Sequence, residues 1–142
     1  MGYLIDNTKT YLTNITVIPE ADVQQLDNTP QRVLNGETGF FLIPIFVGLK
    51  VLSNSTTAYL GYSHIYITSA PFGKINATFD AGGGNILGYT YYNVMDLYMS
   101  HPPTVPGGTF KENLTLYINF SNPITAGDGD LEVTIYYYKF AL

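Results

Sequence analysis

Apolar residues recur at every second position along much of this chain, and this alternation constrains the fold more than any other feature. Four apolar residues of the segment NLTLYINF share one face of an extended chain: Leu114, Leu116, Ile118 and Phe120. The segment LEVTIYYYKF repeats the pattern, with Leu131, Val133 and Ile135 on one face. Strands are also predicted in AYLGYSHIYI, residues 58–67, and in ILGYTYYNV, residues 86–94. A period of two is typical of strands that bury one face and leave the other toward solvent.

Chain breakers are too frequent for long helices, with 14 glycines and 8 prolines among 142 residues. No segment shows a sustained period of 3.6 residues, whereas short segments that resemble strands follow one another between turn signals. The predicted fold is all-β, an antiparallel β-sandwich of jelly-roll type with about eight strands. Residues 1–142 are predicted to form a single domain, in which residues 1–20 are an N-terminal strand or arm.

The run FFLIPIFVGLKVL departs from the alternation because it is apolar at successive positions. A strand that is apolar on both faces needs cover on both, and the outer cover in a two-layer sandwich must come from elsewhere. A neighbouring subunit is the simplest cover. Pro44 has no backbone N–H, so it predicts either an edge position or a β-bulge within this strand.

Charge is scarce and aromatic residues are abundant, at 12% and 15% of the chain. Lys50 is the only charged residue between Thr38 and Gly73, which predicts that another chain covers part of this surface. The net charge of -5 and the scattered basic residues argue against nucleic acid as a partner. The longest apolar run is too short to cross a bilayer, and the start lacks a secretory signal, so no membrane partner is expected.

The tyrosines supply the strongest functional signal in the sequence. Tyrosine offers a rigid apolar ring with a polar tip, which suits a subunit contact or a surface that stacks on sugars. The predicted interface residues are Phe41, Ile43, Phe46, Tyr136 and Tyr138. The candidate sugar-stacking residues are Tyr62, Tyr66, Tyr91 and Tyr92. Aromatic side chains that merely pad the outside of the sandwich are the third interpretation.

The acids of the segment AGDGD raise the question of a calcium loop. Counting from Asp128, position six is Val133 and position twelve is Lys139, whereas an EF-hand loop needs glycine and a bidentate acid there. Gly127 and Gly129 favour a turn instead, in which the Asp side chains are predicted to bond the local backbone. The sequence therefore predicts no metal site, and the glycine cluster at residues 80–85 is predicted to be a loop without a phosphate-binding motif.

Nothing in the sequence indicates catalysis. There is no cysteine, and the histidines, His64 and His101, have no nucleophile motif nearby. Ser63 and His64 would point to opposite faces of one strand. We expect no enzymatic activity and no cofactor, and a small hydrolase is retained only as a third functional hypothesis.

Three stretches resemble, in order and spacing, a group of small virion proteins of tailed bacteriophages: residues 23–36, 56–67 and 122–140. The matching motifs are Leu26 with Thr29 and Pro30, then Thr57 to Tyr59, then Ala126 to Gly129. The segment NGETGFF departs from the group, where a Gly- and Ala-rich approach to the apolar strand is expected.

The resemblance implies a jelly-roll fold, assembly into homotrimers and a position on the exterior of the capsid or tail. Other virion proteins, such as the major capsid protein, would then be partners, and residues 1–20 would contribute to the oligomer or capsid contact. The expected function is that of a non-enzymatic capsid decoration protein. The alternative is a carbohydrate- or receptor-binding head of a phage tail or fibre.

Overall fold

A computed structural model describes residues 12–52, 55–61, 64–70, 73–80, 92–96 and 115–141. These residues are mostly in strands, which confirms the all-β prediction. The strands are β1 (Leu12–Ile18), β2 (Gln31–Leu34), β3 (Phe40–Val51), β4 (His64–Ala70), β5 (Gly73–Asp80), β6 (Tyr92–Asp96), β7 (Thr115–Phe120) and β8 (Leu131–Ala141). A single-turn helix, α1 (Glu20–Val23), follows β1.

The strands form two antiparallel four-stranded sheets. The first sheet has the order β1-β8-β3-β6, and the second has the order β2-β7-β4-β5. Every neighbouring pair is antiparallel. The antiparallel arrangement predicted from the alternating pattern is therefore confirmed.

Buried residues from both sheets form one hydrophobic cluster. In β8 and β7 the inward positions are those that the alternation predicted: Leu131, Val133, Ile135, Leu116, Ile118 and Phe120 are buried. Most residues at the outward positions, such as Tyr117 and Glu132, are half-buried. Removing the inward side chains from water is the main favourable term in folding such a chain.

Pro44 lies at a β-bulge in β3, as one of the two sequence interpretations predicted. The pairing of β3 with β8 shifts by one residue between Pro44 and Phe46. β3 lies between β8 and β6, but β6 pairs with β3 only from Phe46 to Lys50, so the described residues do not test an edge position at Pro44. The shift moves the inward positions from Leu42 and Pro44 to Val47 and Leu49, which explains part of the continuous apolar run.

One local prediction needs correction, and another is tested only in part. A strand was expected to begin near Ala58, but β4 begins at His64, and Leu60 forms only an isolated bridge with Ala126. Gly61, with φ of 104°, interrupts the extended chain there. Of the strand expected from ILGYTYYNV, only Tyr92–Val94 lies within β6, and the preceding residues lie outside the described ranges.

The described part of the chain contains no helix with the length and apolar character that crossing a bilayer requires.

Candidate functional site

The outward face of the first sheet carries an apolar and aromatic patch. Register pairs place Tyr136 opposite both Thr13 and Phe46, Tyr138 opposite Ile43, and Thr134 opposite Ile15. Because directly paired residues lie on the same face of a sheet, these side chains share the face away from the core. We call this surface the outer patch, which comprises Ile15, Val17, Ile43, Phe46, Tyr136, Tyr138 and Phe140.

Aromatic contacts connect the two central strands of the outer patch. The rings of Phe46 and Tyr136 meet edge to face across β3 and β8, with centroids 6.4 Å apart and an interplanar angle of 78°. The rings of Tyr138 and Phe140 make a similar contact along β8, at 6.3 Å and 61°. Such pairs hold large side chains in fixed orientations, so they present a preorganised surface to a partner.

Several side chains of the outer patch are more exposed than apolar groups usually are. Ile15 is 61% exposed, Val17 is 48% exposed and Phe140 is 40% exposed. Near the centre of the sheet, Thr134 is buried although it occupies an outward position. The water-exposed apolar area therefore lies mainly toward β1 and the end of β8.

Charged residues lie only around the ends of this face in the described strands β1, β3 and β8. Lys50 and Glu132 are opposite each other at one end. On the opposite face of β8, the Lys139 Nζ lies 2.7 Å from both carboxylate oxygens of Glu37 and 3.9 Å from the centroid of the Phe40 ring. Within β1, β3 and β8 the middle of the outer face therefore carries no charge that a partner would have to pair or desolvate, whereas the register places Asp96 of the neighbouring β6 opposite Phe46.

The structure brings together four of the five predicted interface residues: Ile43, Phe46, Tyr136 and Tyr138. The backbone of Phe41 pairs with Phe140, but its side chain lies outside the description. The sequence interpretation missed Ile15, Val17 and Phe140. Within LTNITVI, Ile15 and Val17 lie on one face of an extended chain, and Leu12 and Ile18 lie on the other. This pattern was a signal that β1 carries apolar side chains on both faces.

The candidate sugar-stacking tyrosines are not shown to form one site. Tyr66 is half-buried on the outward face of β4 in the second sheet, opposite Asn119. Tyr92 begins β6 in the first sheet, and its side chain lies outside the description. Tyr62 and Tyr91 are outside the described residues. On the second sheet, the register instead places Tyr117 opposite Thr68, diagonal to Tyr66.

The acidic turn before β8 is a structural clasp, which we define as residues 127–130 together with residues 55–57. The carboxylate of Asp128 accepts hydrogen bonds from the backbone N–H groups of Thr56 and Thr57, both at 2.6 Å. The hydroxyls of Thr56 and Ser55 also donate to this carboxylate. The sequence predicted local backbone partners, whereas the donors lie 71–73 residues away in the chain. Asp128 therefore ties together two distant loops.

Tyr59 fills the interior of the clasp. Its side chain is buried, and its hydroxyl donates a hydrogen bond to the carbonyl oxygen of Gly129. Burial raises the pKa of the Tyr59 hydroxyl above its usual value, and the charges of Glu20, Asp128 and Asp130 add to the effect. The hydroxyl therefore stays protonated and able to donate.

The first turn of α1 is fastened to the same segment. The backbone N–H of Glu20 donates to the Asp130 carboxylate at 3.0 Å, and the Glu20 carboxylate accepts from the N–H of Gly129 at 3.4 Å. This reciprocal pair resembles a capping box built between distant residues. Asp130 thus satisfies a helix N–H group that no local side chain caps.

No group of three or more His, Cys, Asp or Glu side chains lies close enough to hold a metal ion within the described ranges. The backbone of His64 opens β4 and pairs with Asp80, and the side chain of His64 lies outside the description. His101 is also outside the described residues.

The hydrogen bonds to Asp128 predict a specific dependence of stability on pH. They lower the pKa of this carboxyl from 3.8 to about 2. Because the folded pKa is below the unfolded one, the stabilisation is complete above about pH 4 and is lost as the pH falls toward 2. We expect Asp128→Asn to lower the melting temperature at pH 7.

Thermal unfolding of both proteins from pH 7 to pH 2 checks this expectation. The difference between wild type and variant should shrink steadily below pH 4. Asp27→Asn serves as a control outside the clasp, since Asp27 bonds only the side chain of its neighbour Asn28. A difference at pH 2 as large as that at pH 7 would contradict the role of the ionised carboxylate.

Comparison with protein-family models found no family that matches the chain, and comparison with curated proteins found no significant relative.

Proposed function

We propose that this protein is a non-enzymatic structural protein of a phage virion, a homotrimeric capsid decoration or auxiliary protein on the exterior of the capsid or tail. The observation that carries the proposal is the outer patch, where aromatic and aliphatic side chains from β1, β3 and β8 share one sheet face and these three strands carry charge only near its end, at Lys50 and Glu132. Large rings and depleted charge characterise the centres of protein interfaces. The resemblance of three stretches to small phage virion proteins supplies the setting.

The strand order supports a jelly roll, the fold that the resemblance implies. A jelly roll is a long antiparallel hairpin rolled up on itself, so its strands pair in nested order, first with last. The four nested pairs are β1 with β8, β2 with β7, β3 with β6, and β4 with β5. The pairs β3 with β8 and β4 with β7 then join the hairpin segments into two sheets.

The proposed mechanism is binding by surface area. Copies of the chain bury their outer patches against one another, and the trimer contacts underlying virion proteins, such as the major capsid protein, at several points. Weak contacts made simultaneously by one rigid trimer add as avidity, so the trimer remains bound even where each contact alone is weak. The clasp and the nested sheets keep the patches in a fixed arrangement, and no chemical step is required.

Light scattering of outer-patch variants tests the proposal. We expect the wild-type mass to reach at least three times the 15.7 kDa of one chain, and Tyr136→Lys to lower the mass below that of a trimer. A lysine at this position places three charges in a closed interface. Leu60→Lys is the matched control, because Leu60 is 45% exposed and lies outside the outer patch. A 15.7 kDa wild-type monomer at high concentration would contradict the proposal.

A carbohydrate- or receptor-binding head of a tail or fibre is the second candidate function. The outward face of the second sheet favours it, since Tyr66 and Tyr117 lie diagonally across β4 and β7 beside Asn119. Aromatic rings that stack on sugars, with an amide to bond their hydroxyls, are the chemistry that such a site needs. Dose-dependent binding on a glycan array that Tyr66→Ala abolishes would favour this function over the structural one.

A further inference from the structure

The outer edge of β1 is a strand edge that none of the described residues pairs with. β1 is the first strand of its sheet, and all seven of its residues pair in regular register with β8 on the other side. Asn14 reaches β2 through its side chain, with its amide donating to the carbonyl oxygen of Val33 at 2.7 Å. This contact leaves the backbone groups along the outer edge of β1 without a strand partner among the described residues.

The other three sheet edges carry features that discourage pairing with another chain. β2 has only four residues, contains Arg32 and is irregular between Arg32 and Leu34. β5 contains Lys74 and Asp80, and β6 has five residues and contains Asp96. Charges, short length and bulges are the usual protections of an edge strand. β1 has none of them, since LTNITVI contains no charge, no proline and no register shift.

The sequence of β1 is also complementary to itself in the antiparallel direction. Pairing two copies about Ile15 places Ile15 opposite Ile15, Thr13 opposite Val17, and Asn14 opposite Thr16. Every central pair then joins β-branched or small polar residues, which are the favourable cross-strand partners, and no charge faces a like charge. The exposed side chain of Ile15 would come to lie beside its counterpart, and the exposed side chain of Val17 beside Thr13 of the second copy, on one continuous face.

We propose that β1 pairs with β1 of a second copy of this chain, antiparallel and centred on Ile15. The two first sheets join into one eight-stranded sheet across a two-fold axis, and the backbone groups of both edges become paired. Because the axis is perpendicular to the sheet, the outer patches of the two copies form a single surface.

This contact goes beyond the proposed function, because it is a two-fold contact in addition to a trimer. The trimer contact uses side chains of the outer patch, whereas the β1 contact uses the backbone edge. On a particle surface covered by trimers, a two-fold contact through β1 would join neighbouring trimers. The trimer contact can be removed while the β1 contact is retained.

Cysteine cross-linking tests the register, because the natural chain contains no cysteine. Directly opposed residues in an antiparallel pair have Cβ atoms about 4.5–5.5 Å apart, close to the distance that a disulfide spans. Under mild oxidation, we expect Ile15→Cys alone to give covalent dimers. Thr13→Cys and Val17→Cys should each give few dimers alone but many when mixed.

Leu60→Cys is the control for random collision, since Leu60 is exposed and distant from β1 in the sheet order. If Ile15→Cys yields no more dimer than this control, the pairing is overturned. Strong cross-linking of Thr13→Cys with itself would overturn the register. Cross-linking of residues 1–11 to β1 within one chain, in place of dimers, would show that the chain covers its own edge.

Ile15 belongs to the outer patch as well as to the β1 edge, so Tyr136→Lys is the variant that separates this inference from the trimer, since it changes the outer patch and leaves the β1 edge intact. We expect Tyr136→Lys assemblies to fall to dimers, and Tyr136→Lys combined with Ile15→Cys to retain the covalent dimers. In the Tyr136→Lys background, Ile15→Lys places two lysines opposite each other on the two-fold axis and should weaken this pairing at least about tenfold, whereas Ile15→Thr should retain it. A monomeric Tyr136→Lys protein that gives no Ile15→Cys cross-link would exclude the β1 contact, whereas a trimer that survives Tyr136→Lys would contradict the proposed function.

Discussion

Gly127→Ala is expected to lower the free energy of unfolding by about 2–4 kcal/mol, because the position combines a backbone constraint with a lack of space. Gly127 has φ of 128°, a conformation that side-chain-bearing residues rarely adopt. A Cβ built there would lie 2.6 Å from the Cα of Tyr59. The clasp would have to open, and Tyr59 would lose its contact with the core. Urea unfolding at pH 7 measures the change.

Gly39→Ala is the matched control, since it also replaces a glycine of positive φ. Gly39 has φ of 80°, but nothing lies within 4 Å of a Cβ built there. Its substitution should cost about 1 kcal/mol, the conformational term alone. If the two variants lose equal free energies of unfolding, the close packing of Gly127 against Tyr59 does not contribute to stability, which would contradict this expectation.

Leu116→Ala is expected to cost about 2–5 kcal/mol, the range for truncating a fully buried leucine. Leu116 is completely buried in β7, which pairs with both β2 and β4 at the centre of the second sheet. The variant loses the transfer free energy of the removed atoms and leaves a cavity that the surrounding strands cannot fill fully. Chemical denaturation monitored by circular dichroism gives the value.

Leu60→Ala removes the same atoms from a side chain that is 45% exposed. Its expected cost is below about 1 kcal/mol, since about half of the side chain already contacts water. A cost for Leu116→Ala no larger than that for Leu60→Ala would contradict the placement of the core between the two sheets.

The alternation predicted the strand faces well because burial of one face is a local property of the sequence. Leu131, Val133 and Ile135 could be assigned inward, and Tyr136 and Tyr138 outward, without knowing which strands pair. The bulge at Pro44 was predictable for the same reason, since the missing N–H acts at that residue. After the bulge, the buried positions of β3 change from even-numbered to odd-numbered residues, and the periodicity alone did not predict where this change occurs.

Long-range contacts could not be read from the sequence. The Asp128 carboxylate was expected to bond its own turn, yet Thr56 and Thr57 donate to it because the fold places the two loops side by side. The start of β4 was wrong because the isolated bridge between Leu60 and Ala126 depends on that same approach. The exposed edge of β1 likewise follows only from the strand order.

An electron cryo-microscopy reconstruction of the phage particle that carries this chain tests the central claim most directly. We predict density for three copies around a three-fold axis on the exterior of the capsid or tail, with Phe46 and Tyr136 buried between copies. Single copies whose β3 and β8 faces point to solvent would contradict the self-association. Purified particles that lack the chain altogether would contradict the virion role.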